Sequence, residues 1–269
     1  MKAINFKYYA GAFIIIFAAS CTKVIDLKLD NNAGQLVIEG NFTNSRSSEQ
    51  IVTLSRNVAF TDSNAYPPVT GAAVSVHDNF GNNYPFIEHP AGIYTSDHAF
   101  GIPEATYTLS VTTGGINYTA QSKMPEQVRM DSISASNEIA PNNTESKKLI
   151  TVNFYDPPNI ANQYRFVMTV NSIQVKTIFV LNDAFTNGRY VRLDLREDGT
   201  AIHSGDFVEV EMQCIDQPIY TYWLTLLQEQ GDNTGAVVTP SNPPTNITPA
   251  ALGYFSAHTT QILRINIHQ

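Results

Sequence analysis

His203-Ser204-Gly205-Asp206 places a base, a hydroxyl and an acid within four consecutive residues, the side-chain set of nucleophilic hydrolysis. Near neighbours in one loop do not reach triad geometry, because base, nucleophile and orienting acid have to converge at fixed distances. The cluster therefore reads first as a turn and only second as the seed of a cryptic hydrolase. His77, His89 and Asp97-His98 offer imidazoles and a carboxylate over a short stretch. His77 falls on the polar side of an alternating run, His89 precedes Pro90 in a turn and His98 follows in a loop, so no metal is expected. Oxygen-rich turns at Asp62-Ser63-Asn64, Asp78-Asn79 and Glu197-Asp198-Gly199 do not reproduce the spacing of a calcium loop, and turn chemistry accounts for them. A nucleophile elbow, a helix with paired zinc-binding histidines, a phosphate-cradling glycine loop and paired Cys ligands are all missing from the sequence. The chain is expected to be no enzyme, with no catalytic residue and no cofactor.

The sulfur of Cys21 carries a different chemistry. Lys2 and Lys7 give a basic start, Tyr8 to Phe17 an apolar stretch, and Ala18-Ala19-Ser20 small side chains before the cysteine. The stretch is shorter than the roughly 20 apolar residues of a spanning helix and suits a secretory signal. Its small-small-Cys ending resembles the lipobox of bacterial lipoproteins, in which the thiol is acylated and cleavage leaves cysteine first; the alternative is an ordinary signal with an incidental cysteine. The lipobox reading makes residues 1–20 the signal peptide and 21–33 the anchor and tether. Each buried methylene of an acyl chain contributes about 0.8 kcal/mol, so multiple acylation of Cys21 would hold the protein at outer-membrane lipid. Thr22, standing where Asp does not, favours the outer membrane by analogy with other such lipoproteins, with the periplasmic or surface face left open. Cys214 then has no disulfide partner, and its phase with Val208, Val210 and Met212 makes it an inert core thiol.

The elements that carry these residues are mostly strands. With 269 residues, 43% hydrophobic and 15% charged, the chain is no disordered one. Its 16 Lys and Arg against 24 Asp and Glu repel phosphate backbones and exclude nucleic acid as a partner. Residues 34–125 hold seven short alternating runs, among them Leu36 to Phe42, Ala72 to Val76, and Tyr107 to Val111 joined by Gly114-Gly115 to Ile116 to Ala120. Glycine adopts positive φ without a Cβ penalty, so that Gly-Gly loop signals a hairpin. The count and spacing predict an immunoglobulin-like or transthyretin-like β-sandwich, with a boundary near Pro125. Residues 126–269 predict a second antiparallel β domain: runs at 149–155, 164–170, 173–180, 189–196 and 207–214, and a final strand over 261–267. Arg192, Asp194 and Arg196 point outward on one run and Glu209, Glu211 and Gln213 on another, which would pair across a hairpin if those strands were neighbours. A helix is expected near 217–230, capped by Asp216, entered at Pro218 and left at Gly231. The fold class is thus mainly β with one packed helix.

Tyr (13) and Phe (14) far outnumber the single Trp, and most fall in phase with core positions. Tyr66, Phe80, Phe100, Phe185, Tyr254 and Phe255 fall in loops instead. Gathered at one end, they would form an apolar contact patch for a ligand or partner.

Cys21-Thr22-Lys23-Val24-Ile25-Asp26-Leu27, Leu36-Val37-Ile38-Glu39-Gly40, Pro67-Pro68-Val69-Thr70-Gly71-Ala72, Gly205-Asp206 before Val208-Glu209-Val210, Tyr222-Trp223, and Asn242-Pro243-Pro244-Thr245-Asn246 before Leu252-Gly253-Tyr254-Phe255 occur in this order. In that order the chain resembles an uncharacterised family of Bacteroidota outer-membrane lipoproteins, catalogued as a domain of unknown function. The resemblance implies a lipid-anchored envelope protein that accompanies TonB-dependent receptors, and it supplies no catalytic residues. The expected role is a noncatalytic accessory partner of such a receptor in capture or uptake of an unidentified ligand. A stand-alone glycan- or surface-binding adhesin module is the alternative, and a cryptic hydrolase the second.

Overall fold

The computed structural model describes residues 34–59, 65–137, 147–197, 199–230 and 242–268, which belong to one compact unit, Ala33–Gln269. The signal peptide, Cys21 and the tether lie outside the described residues. All seven alternating runs of the first region are strands: β1 Leu36–Thr43, β2 Gln50–Arg56, β3 Ala73–Asp78, β4 Asn83–Glu88, β5 Ile93–Ser96, β6 Thr106–Thr113 and β7 Ile116–Lys123. Gly114 and Gly115 join β6 to β7 with φ of 58° and 77°, as the hairpin demands. The second region holds β8 Met130–Asn137, β9 Lys148–Tyr155, β10 Gln163–Val170, β11 Ile173–Gln174, β12 Phe179–Asn182, β13 Tyr190–Leu195, β14 Phe207–Ile215, helix α1 Gln217–Gln230, β15 Ile247–Thr248 and β16 Leu252–Asn266. The run at 173–180 is two short strands rather than one. Among the described residues no helix is long and apolar enough to cross a membrane.

The chain is mainly β with one helix, as its alternation requires. No sandwich is resolved, however. Thirteen strands form one mixed sheet in the order β11-β10-β14-β16-β1-β2-β5-β4-β3-β6-β7-β15, with β12 also paired to β10, and β13-β9-β8 form a small antiparallel sheet. The reason is β16. Its residues Leu252–His258 run parallel to β1, and Thr259–Asn266 run antiparallel to β14, so one continuous strand belongs to both regions. Sequence alternation finds this strand only from Gln261 onward, because Gly253 and the preceding prolines read as loop.

Two cores follow. Ile38, Phe42, Val52, Leu54, Val76, Tyr107 and Leu109 pack with Phe255 and Ala257 in the first. Phe42 of β1 and Tyr107 of β6 stack 4.7 Å apart although four strands separate them in the sheet order, so the sheet curls back on itself. The second core packs Ile150, Val152 and Phe154 of the small sheet against Tyr164, Phe166, Val208, Val210 and Met212. Cys214 is buried in it, as expected, and burial raises its thiol pKa. The Arg192 strand pairs with β9, not with the Glu209 strand, so the expected Arg-Glu ladder does not form. Glu209 pairs instead with Arg264 at 2.6 Å.

The parallel β1–β16 contact depends on Gly253. Its φ is 93°, and a Cβ there would sit 2.0 Å from the Ile38 carbonyl oxygen, a backbone atom that cannot swing aside. Gly253→Ala is expected to cost about 3 kcal/mol or more, combining left-handed strain with the clash. Gly114→Ala, with nothing within 4 Å, meets only the strain and should cost about 1 kcal/mol. Urea unfolding midpoints of the two variants test the difference.

Candidate functional site

Strand alternation sends Glu39, Asn41 and Thr43 of β1 away from the first core, beside Tyr254, Ser256 and His258 of β16. Farther along β16, Thr260, Ile262 and Arg264 stand opposite Gln213, Glu211 and Glu209 of β14, whose next neighbours are Arg165, Val167 and Thr169 of β10. These residues share one face of four adjacent strands. Most of them line an open cleft of about 860 Å³, bounded by the Asn44–Glu49 loop and by Trp223 of α1. Helix α1 is held there by its cap: Asp216 Oδ1 accepts from Ile219 N at 3.2 Å, while Oδ2 accepts from Ser122 Oγ at 2.8 Å and from Lys123 N at 3.1 Å. The expected cap therefore also ties the helix to β7, and burial raises the Asp216 pKa. The helix exit at Gly231 lies outside the described residues.

Arg165 is the centre of the cleft. Its guanidinium carbon lies 3.7 Å from the Trp223 ring centroid, and Trp223 meets Tyr254 edge-on at 5.2 Å. Arg165 Nη1 donates to Gln213 Oε1 at 3.1 Å, and Gln213 Nε2 donates to Glu211 Oε1 at 3.0 Å. Thr260 Oγ1 donates to the same Glu211 oxygen at 2.5 Å. An amide thus separates the cation from the nearest engaged carboxylate. Burial lowers the Arg165 pKa, and the charges of Glu211 and Glu39 oppose that shift. Burial raises the Glu39 pKa, which Arg165 counteracts.

His258 is 1% exposed and shares a 2.9 Å hydrogen bond between Nδ1 and Ser256 Oγ. Burial pushes its pKa down to about 4, with Glu211 opposing and Arg165 adding to the shift, so the ring is neutral at pH 7. Ser256 and His258 resemble half of a catalytic relay, but Ser256 is buried and no described acid bonds the other imidazole nitrogen.

The six aromatics read as loop residues fall in different settings. Tyr66, Phe80 and Phe185 are exposed, Phe185 by 88%. Phe100 is covered by Arg46, whose Cζ lies 3.8 Å from the ring centroid. Tyr254 and Phe255 are consecutive on β16 rather than in a loop, so they face opposite ways: Tyr254 into the cleft, Phe255 into the first core at 0% exposure. Cys21 lies outside the described residues. His89, Asp97 and His98 line a separate hollow of about 460 Å³ while His77 is exposed on β3. Among the described residues no three His, Cys, Asp or Glu side chains group as metal ligands. Asp206 accepts from His203 N and from Asn171 Nδ2, both at 2.8 Å, so its carboxylate holds a turn and its pKa falls.

Sequence reasoning missed the cleft residues Arg165, Glu39, Trp223 and His258. Arg165 and Glu39 look like any outward residue of an alternating strand. The alternation of Ser256, His258 and Thr260 with Phe255, Ala257 and Thr259 was the available signal for His258.

A family model described as a domain of unknown function, DUF4249, matches residues 22–264. No curated protein matches the chain.

The unfolded chain protonates His258 near pH 6.5 and the folded chain only near 4, so between those values the unfolded state binds the extra proton. Its contribution to stability is full above pH 6.5 and declines on acidification, by at most about 1.4 kcal/mol per pH unit. The raised carboxyls of Glu39 and Asp216 act in the opposite sense. Comparison with His258→Gln isolates the imidazole: urea midpoints of the parent should fall more steeply from pH 6.5 to 5 than those of the variant. Equal slopes would show that the ring is not held neutral.

Proposed function

The chain belongs to the DUF4249 family, and on that premise we propose that it is a noncatalytic ligand-capture protein of the cell envelope. In this reading acyl chains on Cys21 hold it at the outer membrane, where it serves a TonB-dependent receptor as an accessory partner. The observation that carries the reading is the open cleft of about 860 Å³, lined by charged, amide and hydroxyl side chains. That size falls within the range of small-molecule sites. Its ionisable groups form an amide-bridged relay and a buried Ser256–His258 pair, an arrangement suited to holding a polar molecule rather than to attacking one. The Cys21 anchor is supported by the basic, apolar and small-residue order that precedes it. We also read the first core as an immunoglobulin-like sandwich, supported by the packing of β1 against β6.

A stand-alone surface-binding role is favoured by one observation, the exposure of Tyr66, Phe80 and Phe185. The two readings separate in one experiment. A C-terminally tagged full chain, mildly crosslinked in its native envelope, should yield a TonB-dependent receptor, and its N-terminal peptide should carry acyl mass on Cys21. Cys21→Ser should move the protein from the membrane to the soluble fraction. An unmodified thiol on a released protein overturns the anchor, and whole-cell binding without any recovered envelope partner favours the stand-alone module.

A further inference from the structure

Two opposite charges in the cleft lack a direct partner. Arg165 carries five N–H donors in a planar fork. Among the described residues it donates one side-chain hydrogen bond, to Gln213, and no described carboxylate lies within 4.0 Å of it. The same guanidinium lines an adjoining hollow of about 370 Å³ together with Lys176, so positive charge collects at this end. At the β1 side stands Glu39, whose carboxylate receives no hydrogen bond from any described residue, and Glu49 also lines the cleft. Glu211, by contrast, already accepts from Gln213 and Thr260. Glu39 and Arg165 feel each other's charge yet do not touch. Glu39 is exposed and keeps its hydration, whereas a half-buried charge such as Arg165 with few hydrogen-bonded partners is costly, and a ligand can remove that cost by supplying the missing group.

A purely anionic ligand would satisfy Arg165 and then face Glu39, Glu49 and Glu211. A purely cationic one would satisfy Glu39 and face Arg165. Only a molecule with both charges complements the two ends. We propose that the cleft binds a zwitterionic ligand bearing an ammonium and a carboxylate, an amino acid or short peptide with free termini, with its carboxylate on the Arg165 fork and its ammonium on Glu39. A guanidinium fork matches a carboxylate with two parallel N–H···O bonds. Asn41 and Thr43 of β1 also line the cleft and add polar groups to it. The volume exceeds the need of one amino acid and suits a few residues. This assignment rests on the ligand-capture reading.

The test uses the full chain in detergent micelles, titrated calorimetrically with free alanine and with an equimolar pool of tripeptides. The pool is supplied unblocked, N-acetylated and C-amidated. The unblocked pool should bind, and blocking either terminus should weaken binding about ten- to a hundredfold, the range for hydrogen bonds to charged groups. Free alanine binding as tightly as the pool would identify single amino acids as the source, and weaker binding would identify peptides; either supports the shared chemistry. Glu39→Gln should weaken the unblocked pool to the level of the acetylated one while leaving acetylated binding unchanged. Arg165→Lys should do the same for the C-terminal block. Should Arg165→Lys misfold, the blocked peptides and the exposed Glu39 position still decide. Equal binding of blocked and unblocked pools overturns the assignment, as does absence of binding. If citrate or maltotriose binds where the tripeptides do not, ligand capture survives with a different ligand; if none binds, that reading falls too.

Discussion

One strand sets what every other part of the described structure can do. β16 runs for 15 residues without a register shift, pairing first with β1 and then with β14. Side chains alternate along a strand, so its parity is inherited by both regions. Phe255 and Ala257 enter the first core, and Leu263 and Ile265 pack on the second, while Tyr254, His258, Thr260, Ile262 and Arg264 line the cleft. A slip of one residue would exchange these sets and put His258 and Arg264 into apolar packing. Register, core and cleft are therefore one constraint.

A strand that changes partners leaves backbone groups at the exchange point that neither neighbour satisfies, and side chains take the place of the missing ladder. Thr260 N donates to Asn44 Oδ1 at 2.9 Å just past the end of β1. The Gln261 amide bonds Met130 through both its atoms, accepting from Met130 N at 2.8 Å and donating to Met130 O at 2.9 Å, as a neighbouring strand would. Ser122 Oγ accepts from Ala257 N at 2.9 Å and donates to Asp216 Oδ2 at 2.8 Å. Buried backbone donors are seldom left unpaired, and here four polar side chains meet that requirement at the seam. Because Asp216 also caps α1, the same network that closes the seam positions Trp223 over Arg165.

How much of this the sequence discloses follows from its range. The seven strands before Pro125, the Gly114-Gly115 hairpin and the Asp216-capped helix rest on neighbours in the chain, and alternation or capping chemistry makes them legible. Alternation says which way a side chain faces, not which strand lies beside it. Arg192 and Glu209 both face outward as expected, yet their strands belong to different sheets. The cleft is harder still, since Glu39, Arg165, Glu211, Trp223 and His258 come from four strands and a helix spread over most of the chain. Tyr254 and Phe255 show the local version of the difficulty: Gly253 and the Pro243-Pro244 stretch look like loop, and only the parallel pairing with β1 makes them strand. That pairing joins residues more than 200 positions apart, as the 213-residue spacing of Asn41 and Tyr254 records.

The position of Gln213 explains why the cleft stays open. Arg165 pairs in register with Gln213, and Glu211 pairs with Val167, so cation and carboxylate stand on the diagonal of two adjacent strands. Diagonal neighbours are about 7–8 Å apart at the backbone, within reach of long side chains. An apolar residue at 213 would let Arg165 and Glu211 close into a direct pair whose bidentate geometry would use up the guanidinium fork. The amide instead accepts one N–H from Arg165 and donates to Glu211, which tethers both charges while keeping them apart. Trp223 lies against the guanidinium, 3.7 Å from ring centroid to Cζ. Held in this way, the guanidinium lines the cleft with one side-chain hydrogen bond, to Gln213, and the proposed carboxylate contact would draw on its remaining donors.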